Sequence, residues 1–458
     1  LPKSEAGNFR PRWRSIKMPV DAAKDDFFGV DAQPRNFGNE RFAVLFVDDE
    51  PRILSGLRNL MRRYRSTVDS YFANGGDEAI EYLSRREFDI LVTDVRMPKI
   101  DGLALLAHAR EQCPATARII LSGHASQEAQ LMCSTVAHQF LMKPCAPPEL
   151  LATFRRIFWA QGLIPDRGLR ATLGKFSVFP LSPTTVHLIG DHQVGKTPGT
   201  DMLECACLSD VTLLARTLRI AGVDRFNARS PFESIKSAIS SLGAEPAARI
   251  IESIEDPEHL ELQDNHLWFR WIDETRHAFD VAVQVQKHLE KTAPELAEEG
   301  ALAGLLHDFG RLALLAIYPT AMLALNDQRV GHNSAMVVEE RRRMGHDHAE
   351  IAAYLLALWG YPARTIVPIL AHHGDHQTNL DSALIAPFAP VIEALQQIEA
   401  VGNRALATII ESKEAQGEVD VAANFRSIEQ LSTEVCQAIR DDDQAKKIAS
   451  SALKRRIA

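Results

Sequence analysis

From residue 41 to about residue 159, short apolar runs alternate with amphipathic stretches, a pattern that predicts a parallel sheet covered by helices. The expected strands are Ala43 to Val47, Thr67 to Tyr71, Ile90 to Thr93, Ile119 to Leu121 and Gln139 to Met142. Between them Ile53, Leu54, Leu57, Leu60 and Met61 recur at helical spacing, as do Leu103, Leu106 and Ala107. Five strands with intervening helices make a doubly wound α/β domain. A helix through Phe154, Ile157 and Phe158 closes it, and Gly162 to Pro183, punctuated by Gly and Pro, reads as a linker or irregular entry. Beyond that point strand patterns stop. Leu213, Leu214, Thr217 and Leu218, then Val281, Val285, His288 and Leu289, mark the long helices of an all-α second unit.

The expected organisation is a flexible tail over 1–40, an α/β domain over 41–160, a helical domain over 161–398 and a helical extension over 399–458. A length of 458 residues fits two or three folding units of roughly 150 residues each. With 46% apolar and 24% charged residues, the bulk of the chain is expected to fold. The net charge of -9 gives no overall attraction to nucleic acid or anionic lipid, and the helical unit shows no basic recognition stripe, so direct DNA binding is not expected. Phe9 and Trp13 among the arginines of the tail could stack on bases, but a solvated terminus is the commoner fate. Six scattered cysteines suit a reducing compartment, and no apolar run reaches the length of a membrane span, so the expected location is cytoplasmic.

Chemistry concentrates first at the strand ends. Asp48 and Asp49 follow the first strand, Asp94 the third, Ser122 the fourth, and Lys143 with Pro144 the fifth. In a doubly wound sheet these ends meet in one crevice. Crowded carboxylates favour a hard divalent cation such as Mg²⁺, and Asp94 could attack a phosphoryl group while Lys143 neutralises the transferring oxygens. Turn formation alone would explain the aspartates, but not Lys143 and Ser122 at matching ends.

These residues, with Met97, Pro98 and Gly102, resemble the receiver domain of two-component response regulators. The resemblance implies that Asp94 is the phospho-acceptor, that Asp48, Asp49, Asp94 and the Arg96 carbonyl hold Mg²⁺, and that Lys143 and Ser122 take part in phosphoryl transfer. Ser122 and Phe140 would form the switch, and the partner would be a sensor histidine kinase.

In the helical unit nine of the 16 histidines fall within 100 residues. His307 and Asp308 end an apolar helix and could grip one cation, and His277, His348, His372 and His373 could converge on it from other helices. The run Leu306, His307, Asp308, Phe309, Gly310, Arg311 resembles the HD superfamily of metal-dependent phosphohydrolases. Asp210, Leu213, Leu214, Ile235, Ala238, Trp359, Gly360 and Pro362 extend the likeness to its HDOD branch. The resemblance implies a signalling scaffold, with hydrolysis as the rival reading; a downstream protein and a second copy in a homodimer are the candidate partners. Against catalysis, Pro390 stands where HD enzymes place a final Asp ligand, and Arg311 replaces a common lysine. On these residues a cluster of hydrogen-bonded histidines is preferred to a transition-metal site.

Gly190 to Thr197 satisfies a phosphate-binding loop string, GDHQVGKT, yet Pro198 and Gly199 break the helix that such a loop requires. A connecting loop suffices.

Overall fold

The protein is seen here in a computed structural model that describes residues 41–123, 136–176, 185, 199–221, 231–252, 265–327, 334–374, 380 and 385–400, with backbone alone at 209, 231–234 and 265–273. The tail, most of the extension and the Gly190 to Thr197 string lie outside these residues.

Five strands, β1 (Phe42–Val47), β2 (Val68–Ala73), β3 (Ile90–Thr93), β4 (Ala117–Ser122) and β5 (Gln139–Met142), form one parallel sheet in the order β2-β1-β3-β4-β5. The central strands β1 and β3 are near-continuous apolar runs because both of their faces are covered. Helices α1 (Pro51–Met61), α2 (Gly76–Arg85), α3 (Gly102–Gln112) and α4 (Pro147–Leu163) flank the sheet. Pro51 and Pro147 sit at helix starts, where a missing N–H costs nothing, and the Asp101 carboxylate accepts the Ala104 N–H at 2.8 Å to cap α3. The expected strands are all present, with ends shifted by one or two residues.

The expected linker is a correction. α4 runs on to Leu163, and α5 (Arg167–Lys175) follows as a regular helix. Asp166 caps it by accepting the N–H groups of Gly168 and Leu169, and Leu169 and Leu173 bury its apolar face. The glycine in its last turn, Gly174, is read by pattern as a breaker. Here it permits contact, because a Cβ would stand 1.9 Å from the Pro114 carbonyl oxygen.

The rest of the described chain is helical: α6 (Thr200–Ser209), α7 (Val211–Ala221), α8 (Pro231–Leu242), α9 (Ala244–Glu252), α10 (Asn265–Thr292), α11 (Ala297–Leu306), α12 (Phe309–Ile317), α13 (Pro319–Asp327), α14 (Ser334–Met344), α15 (His348–Leu358), α16 (Ala363–Ala371), and α17 over 389–400. The apolar stretch Pro294–Ile317 is long enough to cross a membrane, but 89% of its most apolar 18-residue window is buried inside the protein. α15 is apolar all round because it packs against α12, α16 and, from the first domain, α4. One apolar core therefore runs from Val44 and Phe46 through Phe154 and Ile157 to Leu355 and Leu358.

Candidate functional site

The first site lies at the carboxyl edge of the sheet. Lys143, just beyond β5, donates from Nζ to Asp48 Oδ2 at 2.7 Å and to Asp94 Oδ1. Asp48 is buried and its Oδ1 accepts the Glu50 N–H at 2.9 Å, while Asp94 Oδ2 accepts the Arg96 N–H at 2.7 Å. Burial works against the Lys143 charge, but the hydrogen bonds and negative charges of Asp48 and Asp94 outweigh it and hold its pKa above the ordinary lysine value. Gly102 lets α3 start close behind Asp94, since a Cβ there would stand 2.0 Å from the Asp94 carbonyl oxygen. Asp49, half-buried, shares this edge, and so does buried Ser122, whose carbonyl accepts the Lys143 N–H at 2.7 Å. Phe140 is partly buried against an apolar cluster that includes Val95 and Met97.

The second site forms where helix ends of the second unit converge. α10 brings His277, the junction of α11 and α12 brings His307 and Asp308, the first turn of α15 brings His348, the end of α16 brings His372 and His373, and α17 brings Glu399. Asp308 stands in the middle. Its Oδ2 lies 3.4 Å from His307 Nε2 and 3.7 Å from His277 Nε2, while its Oδ1 lies 3.2 Å from His348 Nε2 and 3.9 Å from His372 Nε2. Glu399 Oε1 is 2.9 Å from His307 Nε2, and His348 Nε2 is 2.9 Å from His373 Nε2.

The outer nitrogens explain this orientation. His307 Nδ1 bonds the Gly304 carbonyl at 2.7 Å, His372 Nδ1 bonds the Ile369 carbonyl at 2.5 Å, and His348 Nδ1 bonds Glu340 Oε2 at 2.6 Å. A carbonyl only accepts, so Nδ1 carries a proton in the first two rings and Nε2 is the atom turned to the centre, as second-sphere partners of metal ligands arrange. Burial disfavours charge on His307, yet Asp308 and Glu399 outweigh it and raise its pKa to about 9. Burial lowers His372 to about 4 and His373 to about 2. Burial likewise opposes the His348 charge, but Glu340 and Asp308 lift its pKa well above the ordinary histidine value. Protons on His307 and His348 thus balance a buried negative charge.

A family model of the response regulator receiver domain matches residues 44–155, and one of the HDOD domain matches residues 179–374. The chain carries a receiver domain and an HDOD domain. The hydrogenase transcriptional regulatory protein HoxA of Cupriavidus necator is 33% identical over 134 residues, 28% of this chain and 26% of that protein. The response regulator MprA of Mycobacterium leprae is 31% identical over 143 residues, 31% of this chain and 61% of MprA. The chain thus spans less than two thirds of either relative. A solved signal receiver domain of an HD domain-containing protein from Pseudomonas fluorescens Pf-5 aligns with 29% identity over 27% of this chain and 98% of its own, at a TM-score of 0.26.

Asp48 and Asp94 meet at Lys143, and with Asp49 on the same edge they present carboxylate oxygens, the donor type that suits Mg²⁺. In the HDOD domain His348 and His373 bond one another, and His277, His307, His348 and His372 stand 3.2 to 3.9 Å from Asp308. They also form two four-donor groups, His277, His307, Asp308, Glu399 and Asp308, His348, His372, His373, each with donor atoms within 4.8 Å of one another. Imidazoles with carboxylates suit a transition metal. His372 Nε2, buried and without a hydrogen bond among the described residues, is the kind of atom that a cation would satisfy.

Pro390 lies in the first turn of α17, and Glu399 further along the same helix brings a carboxylate to His307 and His277. Glu399 falls four residues after buried Leu395 and seven after buried Ile392, so an acid on an apolar stripe was the signal. Glu340, four residues after buried Met336, carries the same signal. Arg311, which stands where HD enzymes commonly carry a lysine, is buried and paired with Glu274 at 2.9 Å.

Proposed function

We propose that this chain is a phosphorylation-controlled response regulator in which Asp94 accepts a phosphoryl group from a partner histidine kinase and the HDOD domain passes the change to a downstream protein. The observation that carries this reading is Lys143 held between Asp48 and Asp94. An Asp94 oxygen forms the new bond to phosphorus as the bond to the kinase histidine nitrogen breaks. Asp48, Asp49, Asp94 and the Arg96 carbonyl would hold Mg²⁺, which would supply charge neutralisation on the phosphoryl oxygens. Lys143 moves from Asp94 toward the new phosphoryl oxygens, Ser122 donates a hydrogen bond to them, and Phe140 turns inward into the space vacated. Acetyl phosphate should label the wild-type chain and leave Asp94→Asn unlabelled; equal labelling of both would overturn the assignment.

A second reading is favoured by the two donor groups that share Asp308: a receiver-gated, metal-dependent phosphohydrolase. His277, His307, Glu399, His348, His372 and His373 would hold metal on either side of Asp308, where it supplies an acidified water and charge neutralisation for phosphoester cleavage. Hydrolysis of bis(p-nitrophenyl) phosphate by the Mn²⁺-loaded chain, lost in Asp308→Asn, would favour this reading. Stoichiometric metal without hydrolysis leaves the HDOD domain a signalling scaffold.

A further inference from the structure

Two neighbouring residues of β5 face opposite ways, because successive side chains of a strand alternate. Phe140 joins the apolar cluster of Val95 and Met97, close in the chain to the phospho-acceptor. Gln139 is buried on the other face, where its Nε2 donates to the Leu358 carbonyl at 2.9 Å and more weakly to the Ala357 carbonyl at 3.4 Å. Arg156 of α4 donates to Gln139 Oε1 at 2.7 Å and fixes the amide. Leu358 and Ala357 end α15, where helix carbonyls lack a partner in the next turn; Ala357 also accepts the Gly360 N–H at 3.2 Å, so Gln139 serves chiefly Leu358. Gly360, at φ 90°, then turns the chain away, and its Cα faces the Gln139 side chain. A receiver side chain therefore caps an HDOD helix.

The opposite end of α15 is His348. Its N–H and its Nδ1 both bond Glu340 Oε2, at 3.0 and 2.6 Å, and Asp347 and Glu350 close a capping box around it. The eleven residues of α15 span about 16 Å and all but Glu350 are buried, so the helix transmits displacement as a rod. Beside its first turn, a Cβ on Gly310 would stand 1.9 Å from the His348 carbonyl oxygen, so α12 and α15 are locked together where α12 leaves Asp308. Movement at Leu358 thus reaches His348 and Asp308 together.

We infer that Gln139 is the positioning residue through which the phosphorylation state of Asp94 sets the metal affinity of the His–Asp–Glu centre. A shift of β5 as Phe140 turns inward pulls on the Leu358 and Ala357 carbonyls and moves His348 relative to its partners on α11, α16 and α17. The inference rests on the reading of both sites under Proposed function. Coupling between two binding sites is reciprocal, so metal must change the affinity for a phosphoryl mimic by the same factor.

The test uses the full chain. Zn²⁺ affinity is measured by competition with a chromophoric chelator in Mg²⁺ buffer, with and without beryllofluoride, and beryllofluoride affinity is measured with and without Zn²⁺. In the wild type both affinities should change by one common factor of about five or more. Gln139→Met, which keeps length but loses both donated hydrogen bonds, should bind each ligand alone as the wild type does, with the factor reduced to about one. Arg156→Met, which frees the amide, should lower the factor as well. The inference is overturned if wild-type Zn²⁺ affinity ignores beryllofluoride although both bind, or if both variants keep the full factor. Failure of either ligand to bind the wild type alone would instead sink the underlying reading of that site, and this inference with it.

Discussion

His307 Nε2 and Glu399 Oε1 lie 2.9 Å apart, both buried, on helices distant in the sequence. Glu399 rather than Pro390 thus supplies the last acid of the centre. Glu399→Gln keeps the volume and removes the charge, so Zn²⁺ affinity should fall at least about tenfold, the scale seen for loss of even a supporting partner. Pro390→Ala should leave it unchanged. Competition titration of both variants checks this, and an unaltered Glu399→Gln affinity would remove Glu399 from the site.

Lys143 is the one cation in contact with both Asp48 and Asp94 among the described residues. Its replacement by Met leaves the developing charge on the phosphoryl oxygens without a preorganised partner, a loss of about 100-fold in rate. Initial rates of Asp94 labelling by acetyl phosphate measure the effect. A rate within twofold of wild type would mean that Lys143 only holds the resting state together.

A different pair governs acid stability. Arg118 is fully buried, and its backbone N–H donates to His138 Nδ1 at 2.9 Å while its Nη2 stands 3.1 Å from His138 Nε2. Burial first, then the Arg118 and Arg219 charges, hold the His138 pKa well below the ordinary value of 6.5. Below about pH 6.5 the unfolded chain takes up a proton that the folded chain refuses, so ν_U exceeds ν_N and stability falls with falling pH, by up to about 1.4 kcal/mol per unit for this one group. His138→Asn keeps an acceptor for the Arg118 N–H and cannot titrate. Melting temperatures between pH 7 and pH 5 should therefore decline less steeply in the variant; parallel declines would show that His138 is not the group responsible.

The sheet was legible because β1 and β3 are unbroken apolar runs ended by Asp48 and Asp94, and parallel topology alone then brings Lys143 to them. The helical centre was legible in its histidines, since His307 and Asp308 sit side by side in the chain. Its carboxylate shell was less so: Glu340 and Glu399 have no motif, and only their places on the apolar stripes of α14 and α17 mark them. The cap of Gln139 on Leu358 was equally silent, because contact between two domains leaves no periodicity in either. Gly162 to Pro183 misled for a related reason, as Gly174 serves packing against Pro114, not chain reversal.

Gly310 tests the tightest of these approaches. A Cβ there would stand 1.9 Å from the His348 carbonyl oxygen and 2.8 Å from the Ala352 nitrogen, backbone atoms that no change of rotamer can clear. Gly310→Ala must separate α12 from α15, at a cost of about 1–3 kcal/mol or more, and it carries Asp308 away from His348 as it does so. Gly56→Ala is the control, for Gly56 lies within α1 with nothing within 4 Å of the added methyl, and replacing a mid-helix glycine there should raise stability by about 0.5–1 kcal/mol. Calorimetry of the two variants should show melting points moved in opposite directions, with Zn²⁺ binding weakened only in Gly310→Ala. If Gly310→Ala melts and binds Zn²⁺ like the wild type, α12 and α15 are not locked at this point, and a displacement of α15 need not reach Asp308.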